Sequence, residues 1–381
     1  MLRELYIEQI KKAYQVTPIV AILGPRQCGK TTLARQFQPV PKENYFDLED
    51  LTDISRLQDP KLALGHLRGL IVIDEIQKVP NLFSTLRVLV DQNKDQQYLI
   101  LGSASRELIK QSSDSLAGRV SYIELTHFIF SEVNNMERLW LRGGFPLSYL
   151  AKDNEMSFLW RTSYVRTFLE QDIPNLGIKV PATQLQRFWM MMSHYHGRIL
   201  NASEIGRSLN VSHNTIRQYI DILSGSFMLR QLQPWFENLK KRQVKSPKIY
   251  FRDSGIFHNL LGIETQTDLQ TIPKIGISWE GFALEQIISM MRARPQECYF
   301  WATHNQAELD LLIISKGKRL GFEFKYTSIP KITKSMLIAK ADLNLDVLTV
   351  IFPGKERFKL TQNIEAVGLE RWLEEYRIKL S

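Results

Sequence analysis

Apolar positions along this chain fall into three successive patterns. Residues 1–15 carry Leu2, Leu5, Ile7, Ile10 and Ala13 at spacings that put them roughly on one side of a helix. From there to about position 126, unbroken aliphatic runs alternate with helix-compatible stretches. The runs include Pro18–Leu23, LIVID ending at Asp74 and YLILGS ending at Ser103. Continuous runs of this kind are what central parallel strands look like when helices cover both faces. The pattern predicts an α/β domain over 1–126, followed by a mainly helical lid or linker over 127–178.

The second pattern begins near 180. Leu185–Tyr195 reads as an apolar helix. Asn201, with Glu204 three residues on, caps ASEIGRSLN, and after a turn at Val211–Ser212 comes HNTIRQYIDILSG. The spacing predicts a winged helix-turn-helix over 179–262. Its core would hold Ile216, Tyr219, Ile220 and Leu223. Its outer face would hold His213, Asn214, Arg217 and Gln218, which bond to phosphates or base edges. FMLRQLQPWF and KIYFRD read as a hairpin wing whose tip carries Lys240, Lys241, Arg242 and Lys245. After Pro273 a third pattern predicts another α/β domain over 263–381. Its elements are an amphipathic helix at 278–291, then strands at CYFWAT, AELDLLIIS and, after a turn at Lys316–Gly317, RLGFEFKYT.

With 381 residues, 44% apolar and 23% charged, the chain has material for two or three packed domains and is not of the disordered class. No apolar run reaches the roughly 18 residues of a membrane helix, and MLRELYIEQIKK lacks a signal-peptide pattern. Cys28 and Cys298 are too few and too far apart for a disulfide framework or a zinc site, so a reducing cytoplasm is the expected setting. His194 and His196 are expected at a helix end rather than on a metal. Net charge is +9, unevenly placed: from Arg230 to Arg252 there are seven basic residues and one acidic residue, Glu237. Such a run is an electrostatic footprint for nucleic acid or a solvated loop.

The chemistry starts at GPRQCGKTT: Gly24, Pro25, Arg26, Gln27, Cys28 and Gly29, then Lys30, Thr31 and Thr32. A glycine-bounded turn between a strand and a helix points successive backbone N–H groups at one spot, and the helix adds its positive end. Lys30 would reach the β- and γ-phosphates of ATP, and the Thr31 hydroxyl would hold Mg2+. Cys28 reads as a tolerated small residue. Asp74 and Glu75 end a buried strand beside this cradle, where ligands bind in open α/β sheets. Asp74 suits the magnesium and Glu75 the water that attacks the γ-phosphate. Ser103 stands where a polar residue fits between metal and γ-phosphate. Arg119, in SLAGRV, is the candidate guanidinium for charge developing there, in its own subunit or a neighbour's. A surface ion pair is the alternative for Arg119.

GPRQCGKTT, LIVIDEIQ, LILGSAS, SLAGR, GGFP at 143–146, YVRTFLEQDI at 164–173 and YFRDSGIFHNLLG at 250–262 together resemble a large prokaryotic family of AAA-type ATPases with a poorly characterised C-terminal region. The resemblance covers nearly the whole chain. It implies ATP hydrolysis, with Lys30, Thr31, Asp74, Glu75, Ser103 and Arg119 at matching positions. GGFP is also similar to the Gly-x-Pro element of signal-transducing P-loop ATPases, whose proline rests on the adenine. That likeness implies Pro146 against the base, with a plain turn as the alternative.

In the last domain Glu280, Asp310, Glu323 and Lys325 follow the order Glu…Asp…Glu-x-Lys, which resembles the PD-(D/E)xK nuclease superfamily, although no proline precedes Asp310. The resemblance implies a restriction-endonuclease-like fold, carboxylates around Mg2+ and a lysine that prepares the attacking water. Strand alternation puts Glu323 and Lys325 on one face. Such domains are also kept for binding alone. The expected protein is therefore an oligomeric, Mg2+-dependent, DNA-acting ATPase: a P-loop AAA-type domain, a winged helix-turn-helix and a nuclease-like domain, with no membrane contact. The alternative is an ATP-gated switch or scaffold whose winged helix docks a protein beside a catalytically silent C-terminal domain.

Overall fold

The computed structural model describes residues 1–103, 115–175, 180–237, 243–304 and 307–380. They gather into two compact units: residues 1–127 with 225–227, and the remainder. The first unit is an open sheet. β1 (Ile19–Gly24), β2 (Tyr45–Asp47), β3 (Gly69–Asp74), β4 (Gln96–Ser103) and β5 (Val120–Glu124) lie in the order β2-β3-β4-β1-β5, all parallel. In β1, Ile19, Ala21 and Leu23 pack on one side with Leu86 and Leu89 of α3 (Leu82–Gln92). Val20 and Ile22 pack on the other with Tyr6 and Ile10 of α1 (Glu4–Tyr14) and Leu33 of α2 (Lys30–Phe37). Two cores fed by alternate residues explain the unbroken apolar run in the sequence.

The face that α1 buries keeps Ile7, Ile10 and Ala13 of the expected set and adds Tyr6. Tyr6 and Ile10 are its buried residues, while Leu2 precedes the helix and is 56% exposed. Polar anchors select this face. The buried Arg3 guanidinium donates to the backbone oxygens of Cys28, Thr126 and His127, and the Tyr6 hydroxyl bonds Thr126 Oγ1 at 2.7 Å.

In the second unit a single sheet runs β13-β14-β12-β11-β10-β9-β7-β8-β6. β6 (Arg198–Ile199), β7 (Leu229–Pro234) and β8 (Lys248–Phe251) form its antiparallel end. Three helices accompany them: α4 (Ala182–Tyr195), α5 (Ala202–Leu209) and α6 (His213–Gly225). The rest comprises β9 (Cys298–Ala302), β10 (Glu308–Ser315), β11 (Lys318–Phe324), β12 (Val347–Phe352), β13 (Arg357–Thr361) and β14 (Ile364–Gly368). β7 pairs in parallel with β9 through Gln233–Tyr299 and Pro234–Phe300, so the two parts share one sheet. Asn201 caps α5 by accepting from Glu204 N, and Ile216, Tyr219, Ile220 and Leu223 of α6 are buried with Leu185, Phe188 and Trp189 of α4.

The helix expected to be amphipathic at 278–291 is α7 (Ile275–Met291), and it is buried on nearly every side. It packs against β11, against α8 (Leu369–Leu380) and against the helix Ser254–Leu260, which leaves no broad face for water. From Phe128 on, the segment expected as a lid falls in this unit. There the fully buried Arg161 donates to Leu141 O and Gly255 O, tying the helices Met136–Arg142, Asn154–Thr167 and Ser254–Leu260 together. Among the described residues, no helix is long and apolar enough to cross a membrane.

Candidate functional site

The carboxyl ends of β1, β3 and β4 converge because their register aligns Gly24 with Ser103, with β3 on the far side of β4. The chain leaves β1 through Pro25–Gly29, with Gln27 (φ 61°) and Gly29 (φ 96°) in the left-handed region. Gly29 supplies that conformation at no steric cost, and the alternation turns backbone N–H groups inward as a nest at the start of α2. The Lys30 side chain is buried, and its ammonium donates to Gly24 O at 3.3 Å and Pro25 O at 3.0 Å. Arg26 leaves the loop to pair with Glu49 at 2.8 Å. Cys28 is fully buried and burial pushes its thiol up, which keeps it protonated and inert.

Below the loop, Thr31 Oγ1 donates to Asp74 Oδ2 at 2.7 Å. Residues forty-three positions apart in sequence thus place a hydroxyl and a carboxylate oxygen side by side, the hard oxygen donors that magnesium takes. Asp74 is buried, and its other oxygen accepts from Glu75 N at 3.0 Å. The Tyr45 hydroxyl also donates to Asp74 Oδ2, at 3.0 Å. Glu75 has φ 56° and bonds Gln77 Nε2 through its carboxylate; burial pushes its carboxyl up. Sequence reasoning missed Tyr45 and Gln77. Ser103 ends β4 next to Gly24. Arg119 forms a two-bond pair with Asp91, at 2.8 and 2.9 Å, on the surface of the same unit.

Pro146 opens a four-residue helix in the second unit. The glycines before it have a local partner that the sequence did not announce: Gly144 N donates to Asp253 Oδ2 at 2.7 Å, and Asp253 caps Ser254–Leu260. Two of the segments that carry the family resemblance therefore meet at one buried carboxylate.

On α6, His213, Asn214, Arg217 and Gln218 are all exposed, as the periodicity requires. The basic run that follows is corrected in part. Lys240, Lys241 and Arg242 lie outside the described residues, and Lys245 is exposed. Arg230, Lys248 and Arg252, however, point inward. Arg230 and Arg252 both pair with the buried Glu285, the latter at 3.6 Å. The run is therefore not one solvated patch, because three of its cations neutralise interior carboxylates.

The structure brings together all four residues of the candidate nuclease quartet. Lys325 Nζ donates to Glu323 Oε1 at 2.7 Å, and Asp310 Oδ2 accepts from Phe324 N at 2.9 Å. Glu280 Oε1 accepts from the Tyr250 hydroxyl at 2.5 Å. Burial and the neighbouring Asp310 push Glu280 up to about 7 and Glu323 up to about 8. A member that the sequence did not suggest is Lys248 of β8. Its buried ammonium lies 3.7 Å from Glu280 Oε1, 3.7 Å from Asp310 Oδ1 and in contact with Glu308 Oε1. Among the described residues, no group of three or more His, Cys, Asp or Glu side chains is arranged to hold a metal ion. With the Lys248 ammonium facing Glu280 and Asp310, the quartet as it stands does not fit the magnesium that its resemblance implies.

Comparison with known proteins fits this division. Residues 16–134 match the family described as an AAA domain. Residues 133–267 and 275–372 match two domains of unknown function, DUF8612 and DUF4143. The protein named "Uncharacterized protein Mb2031c" of Mycobacterium bovis is 46% identical over 368 residues, covering 96% of this chain and 83% of that protein. "Uncharacterized protein Rv2008c" of Mycobacterium tuberculosis matches with the same identity and coverage. Among solved structures, the Walker-type ATPase PABY2304 of Pyrococcus abyssi aligns at 13% identity, covering 68% of this chain and 95% of that one, with a TM-score of 0.48.

Proposed function

We propose that this chain, which belongs to the same family as the mycobacterial proteins Mb2031c and Rv2008c, is a magnesium-dependent ATPase that acts on DNA. Its AAA domain at 16–134 carries an ATP site. The observation that carries the reading is the 2.7 Å contact between Thr31 Oγ1 and Asp74 Oδ2 beneath a loop that encloses the Lys30 ammonium. Lys30 and the inward N–H groups offer positive charge to the phosphates, and Asp74 is fixed by Tyr45 and by Glu75 N. Magnesium, held by Thr31 and Asp74, would neutralise charge on the phosphates. Glu75 orients the attacking water. We assign Arg119 as the guanidinium for the developing charge, acting once it leaves Asp91.

For the DNA part, helix–strand–helix–helix–strand–strand from α4 to β8 is the element order of a winged helix, and its second helix of the pair presents His213, Asn214, Arg217 and Gln218 outward. Lys245 supports a phosphate-contacting wing. The interior cations Arg230, Lys248 and Arg252 favour a second reading, in which a less basic winged helix docks a protein and ATP gates the capture. Cleavage of DNA is not part of either reading.

Calorimetry of the full chain with Mg·ATP tests the ATPase: uptake is expected, and its loss in Lys30→Ala. Duplex, forked and single-stranded DNA across a salt series tests the partner. Binding that weakens with salt and raises ATP turnover is expected. Unchanged turnover with no salt-dependent binding would leave the protein-docking reading in its place.

A further inference from the structure

We propose that Lys248 is the resident cation of the carboxylate cluster in the second unit, so that this site is a salt-bridge lock between the β7–β8 hairpin and the C-terminal sheet and takes no divalent metal. Four carboxylates gather there from three elements: Glu280 from α7, Glu308 and Asp310 from β10, and Glu323 from β11. Two ammoniums answer them. Lys325 sits at the end of β11 and bonds Glu323. Lys248 reaches in from β8 and lies within 4 Å of the other three.

A divalent ion bound by these carboxylates would need oxygens that the Lys248 ammonium already faces, and two cations at that separation repel strongly in a buried setting. Rearrangement of Lys248 is opposed on each side. Its side chain is 5% exposed, its ammonium lies 5.6 Å from the centre of the Phe300 ring, and β8 is held in the sheet by β6 and β7. Tyr250, two residues on and on the same face of β8, secures Glu280 through its hydroxyl. One strand of the hairpin thus presents a cation and a hydrogen-bond donor to the cluster. With β7 paired to β9, the hairpin is fastened at two independent places. The consequence for function is that Lys245, between β7 and β8, leads into a strand that is part of the C-terminal sheet.

The test counts bound Mn2+ by electron paramagnetic resonance in the nucleotide-free full chain. Wild type and Asp310→Asn are expected to bind equal amounts, because there is no metal at the cluster for the substitution to remove. Lys248→Met is expected to gain one Mn2+ per chain, and adding Asp310→Asn to it should abolish the gain. A wild type that loses one Mn2+ on Asp310→Asn overturns the proposal. So does a folded Lys248→Met chain with no added site. Should Lys248→Met fail to fold, the comparison of wild type with Asp310→Asn, repeated with Glu280→Gln, still decides between the two.

Discussion

Glu75 occupies a backbone conformation that side chains with a Cβ visit rarely, φ 56° and ψ 43°, directly after a strand whose last residue is buried. Such a conformation persists when its surroundings fix it, here through Glu75 N to Asp74 and the Gln77 side chain. Glu75→Gln keeps the shape and removes the negative charge. Nucleotide binding should survive while turnover falls by roughly 10²-fold or more, the range for loss of a general base. Rapid-quench turnover beside calorimetric affinity separates the two, and a normal rate would refute the role. Arg119→Ala should lower kcat and leave nucleotide affinity unchanged, since Arg119 bonds Asp91 and the Ala117 backbone oxygen rather than the phosphate loop. The placement of Lys30 and Thr31 was legible in the sequence because fixed spacing on a strand–turn–helix encodes it, and that of Asp74 and Glu75 because they end an unbroken aliphatic run. Tyr45 was not, because a lone tyrosine on a three-residue edge strand has no local pattern that points to Asp74.

At the scale of elements, α5 and α6 meet at a close approach. A Cβ on Gly206 would lie 2.7 Å from Val211 O, a backbone atom that cannot swing away. Val211 N in turn donates to Gly206 O at 2.9 Å, and Asn210 closes α5 in the left-handed region. Gly206→Ala should therefore destabilise the second unit by about 1–3 kcal/mol, the usual cost of overpacking. Differential scanning calorimetry reads it directly, and an unshifted transition would show that the turn has room to relax. The helix pair was legible because its apolar period and caps are local. The interior placement of Arg230, Lys248 and Arg252 was not, because their partner Glu285 and the carboxylate cluster come from elements brought in by the β7–β9 pairing. The all-round burial of α7 escaped for the same reason. Its polar positions look solvent-facing until β11, α8 and Ser254–Leu260 are packed around it.

Across the whole molecule, two units should give two thermal transitions, and the one that Mg·ATP raises belongs to the first. The transition of the second should respond to pH through buried titrating groups of opposite sign. Burial pushes His196 and His258 down to about 3, against roughly 6.5 in the unfolded chain. Their neutral forms contribute stability that is present above about pH 6.5 and lost as pH falls, because the unfolded chain takes up the protons first. Glu280 and Glu323, pushed up to about 7 and about 8, work the other way: their stability is present at low pH and is lost as pH rises through those values. A wild-type profile is therefore a sum, and a variant must isolate one member. His258 is well suited to this. Trp140 Nε1 donates to Ser278 Oγ at 3.0 Å, Ser278 donates to His258 Nε2 at 2.7 Å, and so Nδ1 carries the proton given to Leu141 O. Arg161 nearby further disfavours a second proton. His258→Gln should be the less stable protein at pH 7. The gap between the two should then close by about 1.4 kcal/mol per pH unit below 6.5, or about 2 kcal/mol by pH 5. Denaturant unfolding of both chains at pH 7, 6 and 5 measures the gap, and a constant gap would mean that His258 takes up a proton as readily folded as unfolded.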